Sequence, residues 1–264
     1  MITCRFEFLG AGVVNHHVSE ALFSNELVAS SVVGIDVFDA KLVRPSPILP
    51  FWLRGYESRP KAVCLRDRIS AILGRPIPGK AYRKFVENVD WQKLWTSHAG
   101  GKPDFIFVLM GLDCWPSRVS AMSDIRRAGS GVDSEILVIQ AAVDKEQAQV
   151  SVFGNSLPDD PCAACGLLSL PAKEPCLVLR ECGRLLRGTL QSEASAAAAQ
   201  VLTVIIDCLT AGNSTRWRNT KINLSACAGA GRYETTVRKR TRVPGCWGPH
   251  AADAPMRQEA LLSD

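Results

Sequence analysis

FEFLGAGVVNHHVSEALFSNELVASSVVGIDVFD, residues 6–39, is the stretch that decides the fold. It opens on the apolar run Phe6-Glu7-Phe8-Leu9, which predicts a strand, and turns at Gly10-Ala11-Gly12. Residues 13–23 then suit a helix, and residues 32–37 give a second strand, with Asp36 and Asp39 at its end. Strand, glycine turn, helix, strand and acid is the order of a nucleotide-binding βαβ unit. Glycines let the backbone come close to a phosphate, and the helix N-terminus offers unbonded N–H groups and the positive end of its dipole. An acid after the second strand accepts from ribose hydroxyls. Asn15 stands where GxGxxG has its third glycine.

Working outward, Arg44-Pro45-Ser46-Pro47-Ile48-Leu49-Pro50 is too rich in proline for helix or central strand and predicts a rigid loop over the nucleotide end. Residues 58–73 predict a helix with Ser58 as N-cap and Pro60 in the first turn; Leu65, Ile69, Ile72 and Leu73 keep helical spacing and face the sheet. Trp91 and Trp95 read as packing anchors. Residues 104–110 predict a buried strand followed by Asp113, Cys114 and Arg118, a polar set where open parallel sheets keep ligand residues. Cys114 and the pair His16 and His17 read as a core thiol and helix positions rather than as catalytic groups. Strands follow at 135–142 and 147–153, then Cys162-Ala163-Ala164-Cys165, a small-residue helix over 192–209, and two polar strands within 216–243. The sequence predicts one domain over residues 1–250 and a flexible tail over 251–264.

At 264 residues, 47% hydrophobic and 22% charged, the composition is globular and excludes a disordered chain. The net charge of +5 is mild, with a small basic cluster at Arg238-Lys239-Arg240 and Arg242, and no specific nucleic-acid partner is expected. No secretion signal is read at Met1-Ile2-Thr3-Cys4. The apolar run at 196–209 is interrupted by Gln200 and Asp207 and reads as too short for a membrane span. Ten cysteines without a leader point to a reducing, cytoplasmic setting, with thiols free or on metal. Cys162 and Cys165, with a distant Cys246 and His250 four positions beyond it, have the spacing of a tetrahedral zinc site; Cys176 and Cys182 are alternative ligands.

Taken in order, Gly10-Ala11-Gly12, Asp36 with Asp39, Lys61 opening a helix, Asp113 with Arg118, Cys162 with Cys165, and Cys246 resemble the ThiF/MoeB/HesA family. That is the adenylating fold shared with ubiquitin-activating enzymes. The resemblance implies a Rossmann-like, mostly parallel α/β sheet with helices on both faces, a C-terminal antiparallel extension, and a zinc segment over 158–250. It implies ATP-dependent adenylation of a C-terminal carboxylate on a ubiquitin-like protein, a sulfur-carrier protein or a peptide. Catalytic roles would fall to Asp113, Lys61 and Arg118, and nucleotide contacts to Gly10, Gly12, Asp36, Asp39 and Lys61. ATP, Mg²⁺ and Zn²⁺ are the implied cofactors, Asp113 faces the Mg²⁺, and a homodimer or heterodimer is expected. The family's Ser-Asn-Leu-x-Arg-Gln departs here: its asparagine and arginine fall on Pro45 and Ile48. Neither can donate a side-chain hydrogen bond.

Two other functions compete with that reading. A non-catalytic relative acting as scaffold or heterodimer half accounts for Pro45 and Ile48, and Lys61, Asp113 and Arg118 oppose it. An NAD(P)-dependent oxidoreductase needs only the βαβ unit and leaves the cysteine pattern unexplained.

Overall fold

The computed structural model describes residues 2–44, 53–96, 102–112, 115–144, 147–154, 160–162, 165, 190–226 and 233–242. The first strand, β1 (Cys4–Leu9), is buried along its whole length. It leads through the glycine turn into α1 (Val13–Phe23), a short α2 (Glu26–Ser31) and β2 (Val32–Phe38). Next come α3 (Lys61–Leu73), β3 (Ala81–Tyr82), α4 (Trp91–Thr96), β4 (Phe105–Met110), α5 (Trp115–Gly129), β5 (Glu135–Asp144) and β6 (Gln147–Gly154). The chain continues with α6 (Leu190–Ala211), β7 (Thr220–Ala226) and β8 (Tyr233–Lys239).

The eight strands among the described residues join one sheet in the order β3-β2-β1-β4-β5-β6-β7-β8. Strands β3 to β5 run parallel, and β6, β7 and β8 extend the sheet antiparallel. This is the mixed α/β sheet the sequence predicts. The physical cause is legible in β1 and β4. β4 is apolar at every residue and β1 at every residue but Arg5 and Glu7, as expected of strands covered on two faces. Phe6 stacks on Phe107 at 5.5 Å between ring centroids and meets Phe23 of α1 edge-on at 5.4 Å.

One face buries Phe6, Phe8 and Leu109 beneath Leu22 of α1, Leu65 of α3 and Val204 of α6. The other buries Val108, Met110 and Val138 beneath Trp91 and Trp95 of α4 and Met122 of α5. The two tryptophans are therefore anchors, as their sequence position predicts.

Two boundaries differ from the sequence reading. The third helix starts at Lys61 rather than Ser58. Pro60 is its N-cap in an extended conformation (φ −60°, ψ 130°), and Ser58 takes φ 68°. A proline disfavours helical backbone in the residue before it, and Pro60 also bridges to Leu42, so the chain is extended up to that point. The small-residue helix is longer than 192–209. Its stretch Ser192–Ala211 is the one among the described residues long and apolar enough to cross a membrane, with a mean hydropathy of 1.6. Its apolar stripe, Ala197, Val201, Val204, Ile205 and Cys208, packs into the core that α1, β5 and β6 share.

Candidate functional site

In the sheet order, β1 lies between β2 and β4, so the crossovers leave it on opposite sides. Such a switch point opens a crevice beyond the carboxyl ends of the two central strands. The structure builds that crevice from glycines. Gly10 has φ 86°, which only glycine adopts without strain, and a Cβ there would stand 2.8 Å from the Gly111 carbonyl oxygen. The Gly10 N–H donates to the Phe38 carbonyl at 2.8 Å, and the Gly111 N–H donates to the Leu9 carbonyl at 2.9 Å. Gly12 is the N-cap of α1, and the space where its side chain would stand is open. Among the described residues no side chain caps this helix and no acid sits in its first turn, which leaves its first N–H groups able to meet an anion.

Asn15 explains the departure from three glycines. Its side-chain amide is buried and donates to the Gly10 carbonyl at 2.6 Å, with longer contacts to Leu9 (3.2 Å) and Leu109 (3.4 Å). It thus ties the ends of β1 and β4 together from the helix side. A Cβ on Gly111 would lie 2.7 Å from the Asn15 amide nitrogen, so glycine at 111 makes the room that asparagine at 15 uses.

The two acids expected to serve the ribose have different surroundings. Asp39 sits at the crevice, where its carboxylate accepts the Ala11 N–H at 2.8 Å and the Lys41 N–H at 2.7 Å. It holds the glycine turn in place. Asp36 is enclosed instead by the sheet. It is 1% exposed, is bonded to the Arg5 guanidinium, and accepts the Lys80 N–H at 2.6 Å.

Arg5 also donates to Glu7 at 2.9 Å, so one buried cation lies between two buried acids. Gly34 is part of the same arrangement, because a Cβ there would meet the Arg5 guanidinium at 2.1 Å. Burial pushes the Glu7 carboxyl up to about 8. The negative charge of Asp36 adds to the rise, and Arg5 opposes it. Sequence reading missed this cluster because it took residues 6–9 as a plain apolar strand.

Lys61 opens α3, and its backbone N–H donates to the Lys41 carbonyl at 3.0 Å. Its ammonium lies close enough to α1 to act on His16. That imidazole is pushed down to about 3, first by burial and then by Arg68, His17 and Lys61. His16 is therefore neutral at neutral pH. Arg118, in the first turns of α5, folds back to the end of β4 and donates from Nε to the Leu112 carbonyl at 2.7 Å. Asp113 and Cys114, between β4 and α5, lie outside the described residues, as do Pro45 and Ile48.

Cys162 and Cys165 are both buried, with their sulfurs 4.0 Å apart. Two thiolates on one tetrahedral zinc with bonds of about 2.3 Å would stand about 3.8 Å apart, so the pair fits half of a zinc site. Cys246, His250, Cys176 and Cys182 lie outside the described residues, and among the described residues no three metal-binding side chains gather.

The fold is a Rossmann-like α/β sheet with a glycine-built crevice at its switch point. No family model and no curated protein matches the sequence. Solved structures do match at the level of fold. One is E. coli MccB with AMPCPP and selenomethionine MccA, at a TM-score of 0.59 and 14% identity, covering 92% of this chain and 65% of that one. The microcin C7 biosynthetic enzyme MccB in complex with N-formylated MccA gives 0.60 at 15% identity, covering 93% and 67%. Selenomethionine PaaA gives 0.58 at 15% identity, covering 89% and 72%. At these identities the likeness is one of fold alone. The chain spans about two thirds of the length of MccB.

Proposed function

We propose that this chain is an ATP-dependent adenylating enzyme that activates the C-terminal carboxylate of a peptide or small protein. The observation that supports the proposal is the meeting of the Gly10–Gly12 turn and Asp39 at the switch point of a sheet with the MccB fold, with Lys61 opening the helix that follows. In this reading the turn N–H groups and the Lys61 ammonium hold the phosphates, and Asp39 accepts from the ribose. Asp113 would hold Mg²⁺, which would neutralise charge at the phosphates. A fixed positive charge at Lys61 stabilises the negative charge that builds as the carboxylate attacks the α-phosphate. The carboxylate oxygen bonds to the α-phosphorus, pyrophosphate leaves, and an acyl adenylate remains. A structure of MccB holds AMPCPP with MccA and another holds ATP, which favours ATP and a peptide over a dinucleotide.

Zinc on Cys162, Cys165, Cys246 and a fourth ligand, His250 or Cys176 or Cys182, belongs to the same reading as a structural metal. Assembly as a homodimer or heterodimer does too, and light scattering reads it directly. Pyrophosphate exchange into ATP, stimulated by a candidate peptide carboxylate, tests the activity. Tight ATP binding without exchange across peptide and small-protein donors would favour the scaffold reading. That second reading draws on Pro45 and Ile48, which stand where the family's donor side chains would be.

A further inference from the structure

A cleft of about 440 Å³ opens at the carboxyl ends of β2 and β3, one residue beyond Asp39. That volume lies within the range of about 300–1,000 Å³ found for ligand clefts. Its walls come from the segment after β2, which brings Lys41, Val43 and Arg44, and from the segment after β3, which brings Arg83 and Phe85; Ser58 closes one end. Val43 is buried, whereas Phe85 is 61% exposed, the largest exposure among the large apolar side chains described. Three cations line the cleft, and among the described residues no carboxylate does. Arg44 and Arg83 form no ion pair among the described residues. Among the described residues β3 is also the end strand of the sheet, and the carbonyls of Lys80, just before the strand, and of Tyr82 pair inward with Val37 and Asp39. In a parallel ladder the alternate residue, Ala81, turns its N–H and C=O to the open edge.

We propose that this cleft docks an acidic, extended peptide segment, the part of the substrate that precedes its reacting carboxylate. Charge complementarity selects the occupant. Arginine forks match carboxylates two hydrogen bonds at a time, and an exposed ring beside them supplies apolar contact for the intervening side chains. The open strand edge offers the backbone pairing that an extended peptide uses. The cleft is local and one strand wide, which suits a short acidic run. A nucleic acid would call for a longer basic track. The assignment rests on the reading of the chain as acting on a peptide, and it adds where specificity for that peptide resides.

The test is fluorescence anisotropy on the full chain, without ATP, using a labelled peptide of alternating Glu and Ala and its Gln counterpart. The Glu peptide should bind, weaken with added salt, and exceed the Gln peptide about tenfold or more. Arg44→Gln combined with Arg83→Gln should reduce its affinity about tenfold, and Phe85→Ala should reduce it severalfold. Arg83→Gln alone should leave ATP binding unchanged. The proposal is overturned if the Glu peptide fails to bind or binds the double variant as well as the wild type. Competition by ATP, or tighter binding of a single-stranded oligonucleotide at the same residues, would also overturn it. Peptide binding in a chain that binds no ATP would defeat the adenylation reading alone; ATP binding without peptide binding would defeat the cleft alone.

Discussion

Replacing Glu7 by glutamine should stabilise the protein, and by an amount that grows with pH. Glu7 is fully buried on β1, opposite Asp36 in the register of β2, and shares Arg5 with it. In the unfolded chain its carboxyl titrates near the ordinary value of about 4.3, whereas in the fold burial raises it to about 8. At low pH the group is protonated in both states and the contribution is complete. As pH rises between those two values, the folded chain keeps a proton that the unfolded chain has lost. Stability therefore falls through this window at up to about 1.4 kcal/mol per pH unit, and the fall ends once pH passes the folded value. Across the window the loss reaches roughly 4–5 kcal/mol, a large share of the 5–15 kcal/mol typical of a domain.

Glu7→Gln carries no ionisable proton and keeps an oxygen that accepts from Arg5 Nε. Urea unfolding of both proteins from about pH 5 to about pH 8.5 isolates the effect, because other titrating groups cancel in the difference. The variant should exceed the wild type by about 1 kcal/mol at pH 5, just above the unfolded value, and by several kcal/mol at the alkaline end. A stability difference that does not change with pH would refute the reasoning, since Glu7 would then ionise alike in both states.

Asn15→Ala removes the donor that ties the Gly10, Leu9 and Leu109 carbonyls, and should lower stability by about 1–3 kcal/mol in urea unfolding. Gly111→Ala would push a methyl against Asn15 and should cost about 1–3 kcal/mol, with partial relief in the Gly111→Ala/Asn15→Ala double variant. Freshly purified protein should carry about one zinc per chain by metal analysis, and Cys162→Ser or Cys165→Ser should lose it and lower the thermal midpoint. Full stability without zinc would leave the two sulfurs as a buried thiol pair.

The opening βαβ unit was legible because its signals are local. Apolar runs, a glycine turn and helical spacing all lie within residues 6–39, and each specifies its own geometry. The two polar strands after the apolar helix were legible for the same reason, whereas their antiparallel pairing was implied by the family resemblance. What stayed hidden depends on distant partners. Asn15 reads as a missing glycine until Leu109, 94 positions away, is beside it. The enclosure of Asp36 is invisible until Arg5, 31 positions away, is beside it. The sequence also placed Ser58 as a helix cap, because a cap residue and a helical proline were in sight while the bridge from Pro60 to Leu42 was not.

The central claim is that the crevice at Gly10, Asp39 and Lys61 binds the triphosphate of ATP. Calorimetric titration of the wild type and of Lys61→Ala with ATP and Mg²⁺ tests it most directly, with NADH as the comparison ligand. The account predicts that ATP binds the wild type, that Lys61→Ala binds it about 10- to 100-fold more weakly, as loss of a charged hydrogen bond entails, and that NADH does not bind. ATP binding unaffected by Lys61→Ala, or NADH binding in place of ATP, would contradict it.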